Sequence, residues 1–377
     1  MAVFHVPLQR TVDESYDIEI GQTLLPTLVA DIKGGLFPKA HRLALITDDT
    51  VRGLYGNTAE AALREQELDV ALFSFPAGER SKTRETKGRI EDEMIAARFG
   101  RDSAVIALGG GVVSDLAGYL AGTFARGIPF ANYATTLLAA ADASIGGKTA
   151  IDTPAATNLI GLFHQPAKVY IDIDTWNTLT PLEIRNGLAE TVKHACLGDA
   201  NFFSFLELHA ETLARRVDTM PLDANVAETI ARTNCEIKYR VVQADVHEHN
   251  MRQVLNLGHT LGRALEPLAN YTLNHGEAVS IGLVFQLRLG RSFGYVTEEE
   301  FLRVKTLLCK IGLPVTIPPF IKIEQLLQKM HTDKKVRKDE IRFVFQKGIG
   351  AMMRFADGSY SRSVSEKDLI PVLSESY

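Results

Sequence analysis

Short apolar runs alternate with helical stretches along the first half of the chain. Strands are predicted at His41–Thr47, Val70–Phe75 and Ser103–Leu108, because each is a brief, largely apolar run next to polar or glycine residues. Helical periodicity covers Val51–Gln66 and Thr83–Ala97. Strands that alternate with helices in this way predict a parallel, doubly wound, Rossmann-like sheet.

The second half has a different pattern. From about Pro181 onward the periodicity is almost entirely helical, until a β-like run at Ile341–Phe345. A chain of 377 residues also exceeds the size at which a single core usually stops growing. We therefore predict an α/β domain over residues 1–175 and a mostly α-helical domain over residues 176–377.

One predicted helix carries an unusual polar face. At about 100° per residue, four polar residues fall within an arc of roughly 60°: Arg252, Asn256, His259 and Arg263. Apolar residues occupy the opposite face: Leu257, Leu261, Ala264, Leu265 and Leu268. A solvated face is usually rich in Glu and Lys, whereas this stripe carries groups that bind anions or metals. We interpret it as an active-site wall.

Composition narrows the classes of protein. Hydrophobic residues make up 46% of the chain, charged residues 23%, and the net charge is −5, so a nucleic-acid partner has no support. The three cysteines (Cys196, Cys235 and Cys309) have no CxxC spacing and do not suggest a disulfide framework. Neither an apolar leader segment at the N-terminus nor a run of about 18 apolar residues occurs. We expect a cytoplasmic protein with no membrane partner.

A glycine-rich turn follows the third predicted strand. The segment Ser103–Gly118 (SAVIALGGGVVSDLAG) predicts a strand, a turn and a helix. Glycines there let the backbone approach a phosphate at the helix N-terminus, although the third glycine of GxGxxG is lacking. We favour nucleotide or pyrophosphate binding at Gly109–Gly111; a tight turn without a ligand is the alternative. Asp115 could accept a hydrogen bond from a ribose or amide. Alternatively, its negative charge could simply interact favourably with the helix dipole near the N-terminus of the helix.

A second glycine-flanked segment ends like a phosphate-binding loop. In Asp142–Thr149 (DASIGGKT) the first glycine of GxxxxGK[ST] falls on Asp142, which argues against an ATPase. Lys148 still suits a phosphate or oxyanion contact. A solvated loop lysine is the alternative.

A strong helix start precedes a charged triplet. Thr180–Glu183 (TPLE) provides an N-cap, a proline at the first helical position and a glutamate at the third. Along that helix Glu190, Lys193 and His194 share adjoining parts of one face. The residues alone favour a surface ion pair. A carboxylate ligand beside an anion-binding lysine is the alternative.

Two histidines raise the question of a metal. His259 and His275 lie too far apart for a single-helix pair, so a third ligand must come from elsewhere, and Glu190 is the best candidate. A three-ligand N/N/O site with open positions is typical of catalytic zinc. The basic segment Asp333–Arg342 is either an anion-binding element or a solvated loop.

Taken together, these segments resemble the 3-dehydroquinate synthase family of sugar phosphate cyclases. The resemblance runs from Pro76–Lys82 (PAGERSK) to Asp333–Lys335 (DKK). Its most specific parts, in chain order, are GGGVVSDLAG, ATTLLAAADASIGGKTAID, NLIGxxxQP, GLAETVK, LNLGHTLG and HGEAV.

The resemblance implies a carbon–oxygen lyase of the shikimate pathway, which leads to aromatic amino acids. Such an enzyme uses NAD and zinc, with cobalt as a possible substitute, and is expected to be a homodimer. It converts DAHP, a seven-carbon ketose-like acid phosphate, into 3-dehydroquinate. A carbinol is oxidised, phosphate leaves by β-elimination, the ketone is reduced again, and ring opening and an aldol closure follow without net redox change.

The resemblance also implies roles for individual residues. The zinc ligands are Glu190, His259 and His275. The catalytic set is Asp142, Lys148, Lys193 and Arg263. Further substrate contacts are Arg126, Asn158, Lys238, Arg252, Asn256 and Arg342, with phosphate expected at Lys148, Asn158 and Arg126 and carboxylate at Lys238 and Arg252. The NAD contacts are Asp48, Glu79, Lys82, Gly109, Gly110, Gly111, Asp115, Thr135, Thr136, Asp142, Lys148, Asn158, Thr178, Leu179 and Glu183.

Two positions depart from the family pattern. The second histidine of HTxGH is Arg263 here, and the lysine that usually precedes Asn158 is Thr157. These departures leave the substrate open, with a variant cyclase (amino-dehydroquinate synthase-like, or acting on another heptulose phosphate) as the second hypothesis. A metal-dependent polyol dehydrogenase and a non-enzymatic dinucleotide sensor are more distant alternatives.

Overall fold

The computed structural model describes residues 1–9, 11–154, 156–216, 222–270, 272–331 and 340–377. The strands of this part of the chain are β1 (Asp17–Gly21), β2 (Arg42–Asp48), β3 (Val70–Phe75), β4 (Ser103–Gly109), β5 (Phe130–Ala134), β6 (Lys148–Ile151), β7 (Ile160–Phe163), β8 (Lys168–Asp172), β9 (Arg342–Val344) and β10 (Ser361–Ser363).

The α-helices of the same residues are α1 (Leu25–Lys33), α2 (Asp49–Val51), α3 (Asn57–Glu65), α4 (Arg84–Ala96), α5 (Gly111–Thr123), α6 (Pro181–Gly198), α7 (Ala200–Leu208), α8 (Ala210–Arg216), α9 (Ala224–Ala244), α10 (His259–Leu268), α11 (His275–Ser292), α12 (Glu298–Lys310), α13 (Ile323–His331) and α14 (Glu366–Ser374). Short 3-10 segments cover Glu79–Ser81, Phe124–Arg126, Ile173–Thr178 and Met251–Asn256, and π-helical segments cover Arg52–Gly56 and Ala139–Ala143. None of the helices in the described ranges has the length and apolar character needed to cross a bilayer.

Six strands form one parallel sheet in the order β1-β8-β5-β4-β2-β3. Alternate residues of β2 face opposite sides of it: Leu43 and Leu45 join one core cluster, and Ala44 and Ile46 join another. Helices cover both faces, so the central strands are nearly continuous apolar runs. The predicted doubly wound α/β fold is confirmed.

Local signals set most element boundaries. The strand predicted at Val70–Phe75 coincides with β3, and Thr83 caps α4 by accepting a hydrogen bond from the Thr86 N–H at 3.2 Å. The predicted helix at 51–66 is interrupted by the π-helical turn before α3. Neither β1 nor the antiparallel β6–β7 hairpin was predicted, because these short strands have little apolar contrast with their flanks.

The helical second half packs directly on the sheet. Helix α11 packs against both α6 and α10. Ala134 and Ile171 of the sheet share one core cluster with Leu188 and Val192 of α6 and with Leu283 of α11. The connection between the halves is the 3-10 segment Ile173–Thr178. The domain boundary near residue 175 remains a prediction.

The continuous helix predicted across Arg252–Arg263 is wrong. A 3-10 segment ends at Asn256, and α10 begins only at His259. Between them Gly258 has a φ of +78°, and a Cβ there would lie 3.0 Å from the backbone of α11 at Leu283. Glycine is needed because the chain must both reverse its handedness and approach α11 closely. The 60° arc therefore does not exist, although the same four side chains all line one cavity.

Candidate active site

A cavity of about 960 Å³ lies between the sheet and the helical half. The turn before β6, the β6–β7 hairpin, the loop at 245–250, the start of α10 and the C-terminal segment all contribute to its wall. Predicted site residues that line it are Asp115, Asp142, Lys148, Asn158, Lys238, Arg252, Asn256, His259, Arg263 and Arg342. The fold therefore gathers residues that are separated by more than two hundred positions, and most of them are cationic or amide groups.

Glu190, His259 and His275 meet at one point. Their ligand atoms all lie within 4.8 Å of one another. The Glu190 Oε1 atom is 3.2 Å from His275 Nε2 and 3.4 Å from His259 Nε2. Helix α6 supplies the carboxylate, and the first residues of α10 and α11 supply the two imidazoles. Two nitrogens and one carboxylate oxygen match the donor set of a catalytic divalent metal.

The hydrogen bonds behind the histidines orient the rings. The Leu257 carbonyl lies 3.1 Å from His259 Nδ1, and a Glu266 carboxylate oxygen lies 2.8 Å from His275 Nδ1. Because both oxygens are acceptors, each Nδ1 carries a proton, and each Nε2 faces Glu190 as the nitrogen that could bind a metal. This is the usual outer shell of a histidine metal ligand. The residues present fit a metal.

The charged triplet on α6 is buried, so the favoured interpretation as a surface ion pair is wrong. The side chains of Glu190 and Lys193 are 0% and 1% exposed, and the Lys193 ammonium contacts Glu190 Oε2. Burial alone would raise the pKa of Glu190, but Lys193, then His259 and His275, outweigh it and lower that pKa well below its ordinary value. The carboxylate is therefore ionised.

His194 lies behind the Glu190–Lys193 pair, where it forms hydrogen bonds within the protein. Its Nδ1 donates to Asn234 Oδ1 at 3.1 Å, and the Asn234 amide donates to Thr191 Oγ1 at 2.9 Å. Burial, and then the Lys193 charge, lower the pKa of His194 to about 4. The neutral imidazole adds no further cation to the buried cluster.

Asp142 and Lys238 form a second ion pair on the cavity wall. The Lys238 ammonium lies 2.5 Å from Asp142 Oδ1 and also contacts the Asp142 carbonyl. Burial opposes ionisation of Asp142, but Lys238 and then Lys193 hold the pKa of that carboxyl well below its usual range. The two lysines and two carboxylates thus form a compact array of alternating charge beside the histidines.

Lys148 begins β6 directly after two glycines in left-handed conformations, Gly146 at φ +91° and Gly147 at φ +65°. The chain continues from it as a strand rather than as the helix that follows a phosphate-binding loop. Its ammonium contacts Glu248 Oε2. Burial is the main cause that lowers the pKa of Lys148, to about 8, and Arg252 adds to this while Glu248 opposes it. Lys148 therefore titrates close to physiological pH.

Arg252 is 1% exposed although it borders the cavity. One guanidinium nitrogen donates to the Gly146 carbonyl at 2.8 Å, and another donates to the Val246 carbonyl. Two of its N–H groups thus connect the glycine turn to the loop that follows α9. In this structure Arg252 holds two segments of the cavity wall together. A contact with substrate would have to use the guanidinium N–H groups that do not bind these two carbonyls.

Arg263 lies beside Asn256, with Arg263 Nη2 3.5 Å from Asn256 Oδ1. Arg263 also lowers the pKa of His259, after burial and Lys193. The departure from the family pattern thus places a permanent cation next to both the histidine pair and the cavity. Thr157, the other departure, is half-buried and precedes Asn158.

Predicted NAD residues gather at the carboxyl edge of the sheet. Asp48 ends β2, Gly109 ends β4, and Thr135 follows β5. A Cβ on Gly109 would lie 2.5 Å from Val113 Cγ2, and one on Gly110 would lie 3.0 Å from Thr136 Cγ2. The glycines therefore let the turn pack closely while the first N–H groups of α5 remain available to a phosphate. In doubly wound sheets, ligands bind at this edge.

A polar cluster around the buried Lys82 side chain adjoins this edge. The Lys82 ammonium lies 2.5 Å from Asp115 Oδ2, 2.5 Å from Asn158 Oδ1 and 3.4 Å from Glu79 Oε1. Three predicted NAD contacts thus surround a fourth, Lys82. Thr178, Leu179 and Glu183 lie around the start of α6, where Thr180 and Glu183 form the predicted capping box. Asp115 is paired with lysine, so a helix-dipole role alone does not describe it.

Two predicted anion contacts are placed less favourably, one outside the cavity wall and the other hydrogen-bonded to protein groups. Arg126 is exposed, in the 3-10 turn after α5, and does not line the wall. Arg342 lines it, but its guanidinium donates to the Ser361 carbonyl at 2.6 Å and to Ser363 Oγ at 3.0 Å. The Asp333–Lys335 end of the resemblance, with most of the basic segment 333–342, lies outside the described residues.

Two site residues were missed in the sequence. Glu266 lies seven positions after His259, on the same helix face, so its spacing was a usable signal. Glu248 contacts Lys148, and it also accepts a hydrogen bond from Asn256 Nδ2 at 2.7 Å. It lies in a loop, where no periodicity marks it. Only the fold reveals its position.

Fold and site together define a class: α/β enzymes with a nucleotide-type glycine turn beside a candidate metal centre in a helical second half. Family models for the 3-dehydroquinate synthase N-terminal and C-terminal regions match residues 72–186 and 187–336. The chain belongs to the 3-dehydroquinate synthase family.

Individual relatives agree with this assignment. The chain is 44% identical to the 3-dehydroquinate synthase of Pelobacter propionicus over 340 residues, 90% of this chain and 92% of that one. Among solved structures, 2-epi-5-epi-valiolone synthase from Streptomyces hygroscopicus subsp. jinggangensis, with NAD+ and Zn2+ bound, has a TM-score of 0.85 at 28% identity over 99% of both chains. A 2-deoxy-scyllo-inosose synthase with NAD+ and Co2+ has a TM-score of 0.84 at 23% identity over 96% of both chains, which shows a shared fold.

Proposed function

We propose that this protein converts DAHP into 3-dehydroquinate and phosphate, using NAD and a divalent metal, with zinc as the resident ion. The observation that carries the proposal is the buried group of Glu190, His259 and His275 next to a cavity lined by cations. A polyol dehydrogenase needs the metal group but has no use for the cations. We further propose that the enzyme acts in the cytoplasm as a homodimer.

The residues suit both absent groups. Glu190, His259 and His275 would hold the metal, because each imidazole already has its Nδ1 engaged and its Nε2 directed inward. The glycine turn before α5 would hold the pyrophosphate of NAD, with Asp48 and Asp115 nearby. When bound, NAD supplies a temporary hydride acceptor and the metal supplies Lewis acidity, neither of which the side chains can provide.

The cations on the wall would bind and orient the two acidic ends of the substrate. Lys148, at the mouth of the glycine turn, and Asn158 suit the phosphate, whereas Lys238 and the remaining donors of Arg252 suit the carboxylate. Asn256, which borders both sets, suits a hydroxyl. Holding both ends fixes the substrate next to the histidine pair. This positioning lowers the entropic part of the activation barrier.

The alternating lysines and carboxylates beside the histidines would set which active-site groups are protonated. Lys193 contacts Glu190, and Lys238 contacts Asp142, so each carboxylate stays ionised in a buried place. A departing phosphate dianion can accept the proton at the neighbouring carbon while Lys148 stabilises its charge. Ring opening and aldol closure then need only a cavity that holds the released intermediate in place.

A variant cyclase is the second candidate, and Arg263 is the observation that favours it. A permanent cation beside Asn256 changes the charge that a substrate meets next to the histidines. A valiolone synthase shares the fold. Under this alternative another heptulose phosphate, or an amino-substituted DAHP, is the better substrate.

The test is product formation by the purified protein with NAD and zinc. We expect stoichiometric release of phosphate and 3-dehydroquinate from DAHP, with no accumulation of NADH, and no release by Glu190→Gln. Sedoheptulose 7-phosphate and amino-DAHP are assayed in parallel, and preference for either one establishes the variant cyclase. Net NADH from a simple polyol establishes the dehydrogenase, and NAD binding without metal binding in calorimetry establishes the sensor. Metal analysis and light scattering check zinc and the homodimer.

A further inference from the structure

One carboxylate occupies the cationic cavity from inside the protein. Glu248 Oε2 contacts the Lys148 ammonium, and Glu248 Oε1 accepts the Asn256 amide hydrogen bond at 2.7 Å. The carboxylate therefore bridges two residues from different halves of the chain. Its side chain is 18% exposed and the Lys148 side chain is 43% exposed, so solvent and small ligands can reach the pair.

The loop that carries Glu248 is held in place on both sides. The Asp245 carboxylate accepts hydrogen bonds from three backbone N–H groups, those of His249 at 2.9 Å, Asn250 at 2.8 Å and Arg252 at 3.0 Å. The Asn250 amide donates to the Gly358 carbonyl at 3.0 Å and accepts from the Tyr360 N–H at 3.2 Å. These hydrogen bonds hold the loop backbone, whereas the Glu248 side chain is held by its contacts with Lys148 and Asn256.

The backbone of Glu248 itself has a φ of +59°. Left-handed conformations are unfavourable for residues other than glycine and asparagine, and persist where the surroundings determine them. Here the hydrogen bonds between the Asp245 carboxylate and the loop backbone hold Glu248 in this conformation. The effect of this conformation is to direct an acidic side chain into a wall that also carries Lys148, Arg252 and Arg263. A simple surface ion pair would not require it.

We propose that Glu248 is an internal counter-anion. It neutralises the protein's phosphate-binding site at Lys148 until the phosphate dianion of a ligand displaces it. The proposal rests on the proposed function, in which Lys148 and Asn256 contact the substrate. On binding, the Glu248 side chain rotates away from Lys148, the substrate phosphate takes over the Lys148 contact, and a substrate hydroxyl takes over the Asn256 contact. No bond is made or broken.

This arrangement selects the ligand by charge. A neutral sugar cannot replace a carboxylate on Lys148, because the ammonium would lose its counter-charge beside the cations of the cavity wall. A phosphomonoester can, since its dianion contacts an ammonium more strongly than a carboxylate does. Glu248 thus lowers the affinity for every ligand but lowers it least for phosphates, which is specificity by competition.

Inorganic phosphate is the probe, titrated by calorimetry into the full chain loaded with NAD and zinc. We expect Glu248→Gln, which keeps the shape and removes the charge, to bind phosphate about tenfold more tightly than the unchanged protein. The matched control is Asp357→Asn, which removes one charge from the same cavity but pairs with Ser359 rather than with Lys148. It should change phosphate affinity by less than about twofold.

Equal tightening in both variants, or none in Glu248→Gln, overturns the proposal. Should Glu248→Gln not fold, Glu248→Asp provides the same test, since the shorter carboxylate cannot reach both partners and should also tighten phosphate. A crystal of the unchanged protein with phosphate bound should show the Lys148–Glu248 contact broken, and an intact contact contradicts the displacement. Because no turnover is needed, inactivity toward DAHP would overturn the proposed function alone.

Discussion

Glu266 accepts a hydrogen bond from His275 Nδ1 at 2.8 Å, while Nε2 of the same ring lies 3.2 Å from Glu190. The first contact fixes the orientation of the ring, because a proton held on Nδ1 leaves Nε2 as the nitrogen that can give up its proton and bind a metal. Burial alone would lower the pKa of His275, but Glu266 and then Glu190 raise it to about 10. Without metal the ring is therefore protonated, and metal must displace that proton.

The first prediction concerns this carboxylate behind the histidine. Glu266→Gln keeps the size of the side chain but accepts a weaker hydrogen bond, so the imidazole is less well oriented and less basic. We expect zinc affinity to fall about ten- to a hundredfold, measured by competition with a chelator. The control is Glu277→Gln, since Glu277 caps α11 two residues from His275 without touching its ring. Unchanged zinc affinity in Glu266→Gln would contradict the orienting role.

The second prediction is a loss of anion binding as the pH rises. Lys148 has a pKa lowered to about 8, so it is charged below that pH and neutral above it. A phosphomonoester is already a dianion above about pH 7, since its second pKa is about 6. Affinity for it should therefore fall between pH 7 and 9 because of the protein. Calorimetry across this range, with Lys148→Arg as a variant that keeps its charge, checks the sign; a profile that stays the same in the variant contradicts the assignment.

The third prediction tests the glycine turn that Arg252 holds. Gly146 has a φ of +91°, and a Cβ there would lie 2.8 Å from Val242 Cγ2 and closer still to the Arg252 guanidinium. Gly146→Ala should lower the free energy of unfolding by about 1–3 kcal/mol and weaken phosphate binding. Gly88→Ala is the control, because nothing lies within 4 Å of its Cβ position in α4. Helix propensity predicts that this control is stabilising by up to about 1 kcal/mol, and equal destabilisation of both would contradict the role of the turn.

The sequence predicts those features that depend on neighbours along the chain. The Thr180 cap and the strand β3 follow from residues a few positions apart, and both are confirmed. The helix across Arg252–Arg263 failed because Leu257 and Gly258 break it while the apolar spacing continues. Periodicity cannot distinguish a regular helix from two segments that happen to keep their register.

The candidate site shows a second limit. Glu190 and Lys193 look like a surface pair because nothing along the chain reveals that α11 covers α6. The residues alone named His259, His275 and Glu190 as candidate metal ligands, and the motif resemblance agreed, although the local pattern around Glu190 favoured the simpler interpretation. Neither the local sequence pattern nor the motif resemblance identified Glu248, since its role depends on a contact between residues a hundred positions apart. Long-range contacts of this kind become visible only once the fold is known.

The last prediction concerns the cation that departs from the family pattern. Arg263 is one of the charges that lower the pKa of Lys148, after burial and Arg252, with Glu248 opposing them. Arg263→Gln removes that repulsion, so the pH midpoint of phosphomonoester binding should rise by about half a pH unit. Arg354→Gln is the matched control: Arg354 lines the same cavity and contacts the Gly358 carbonyl at 3.4 Å, away from Lys148. Equal midpoints in the two variants would mean that the whole cavity, rather than Arg263, sets the charge state of Lys148. A shift confined to Arg263→Gln would identify Arg263 as a residue that tunes the phosphate-binding lysine.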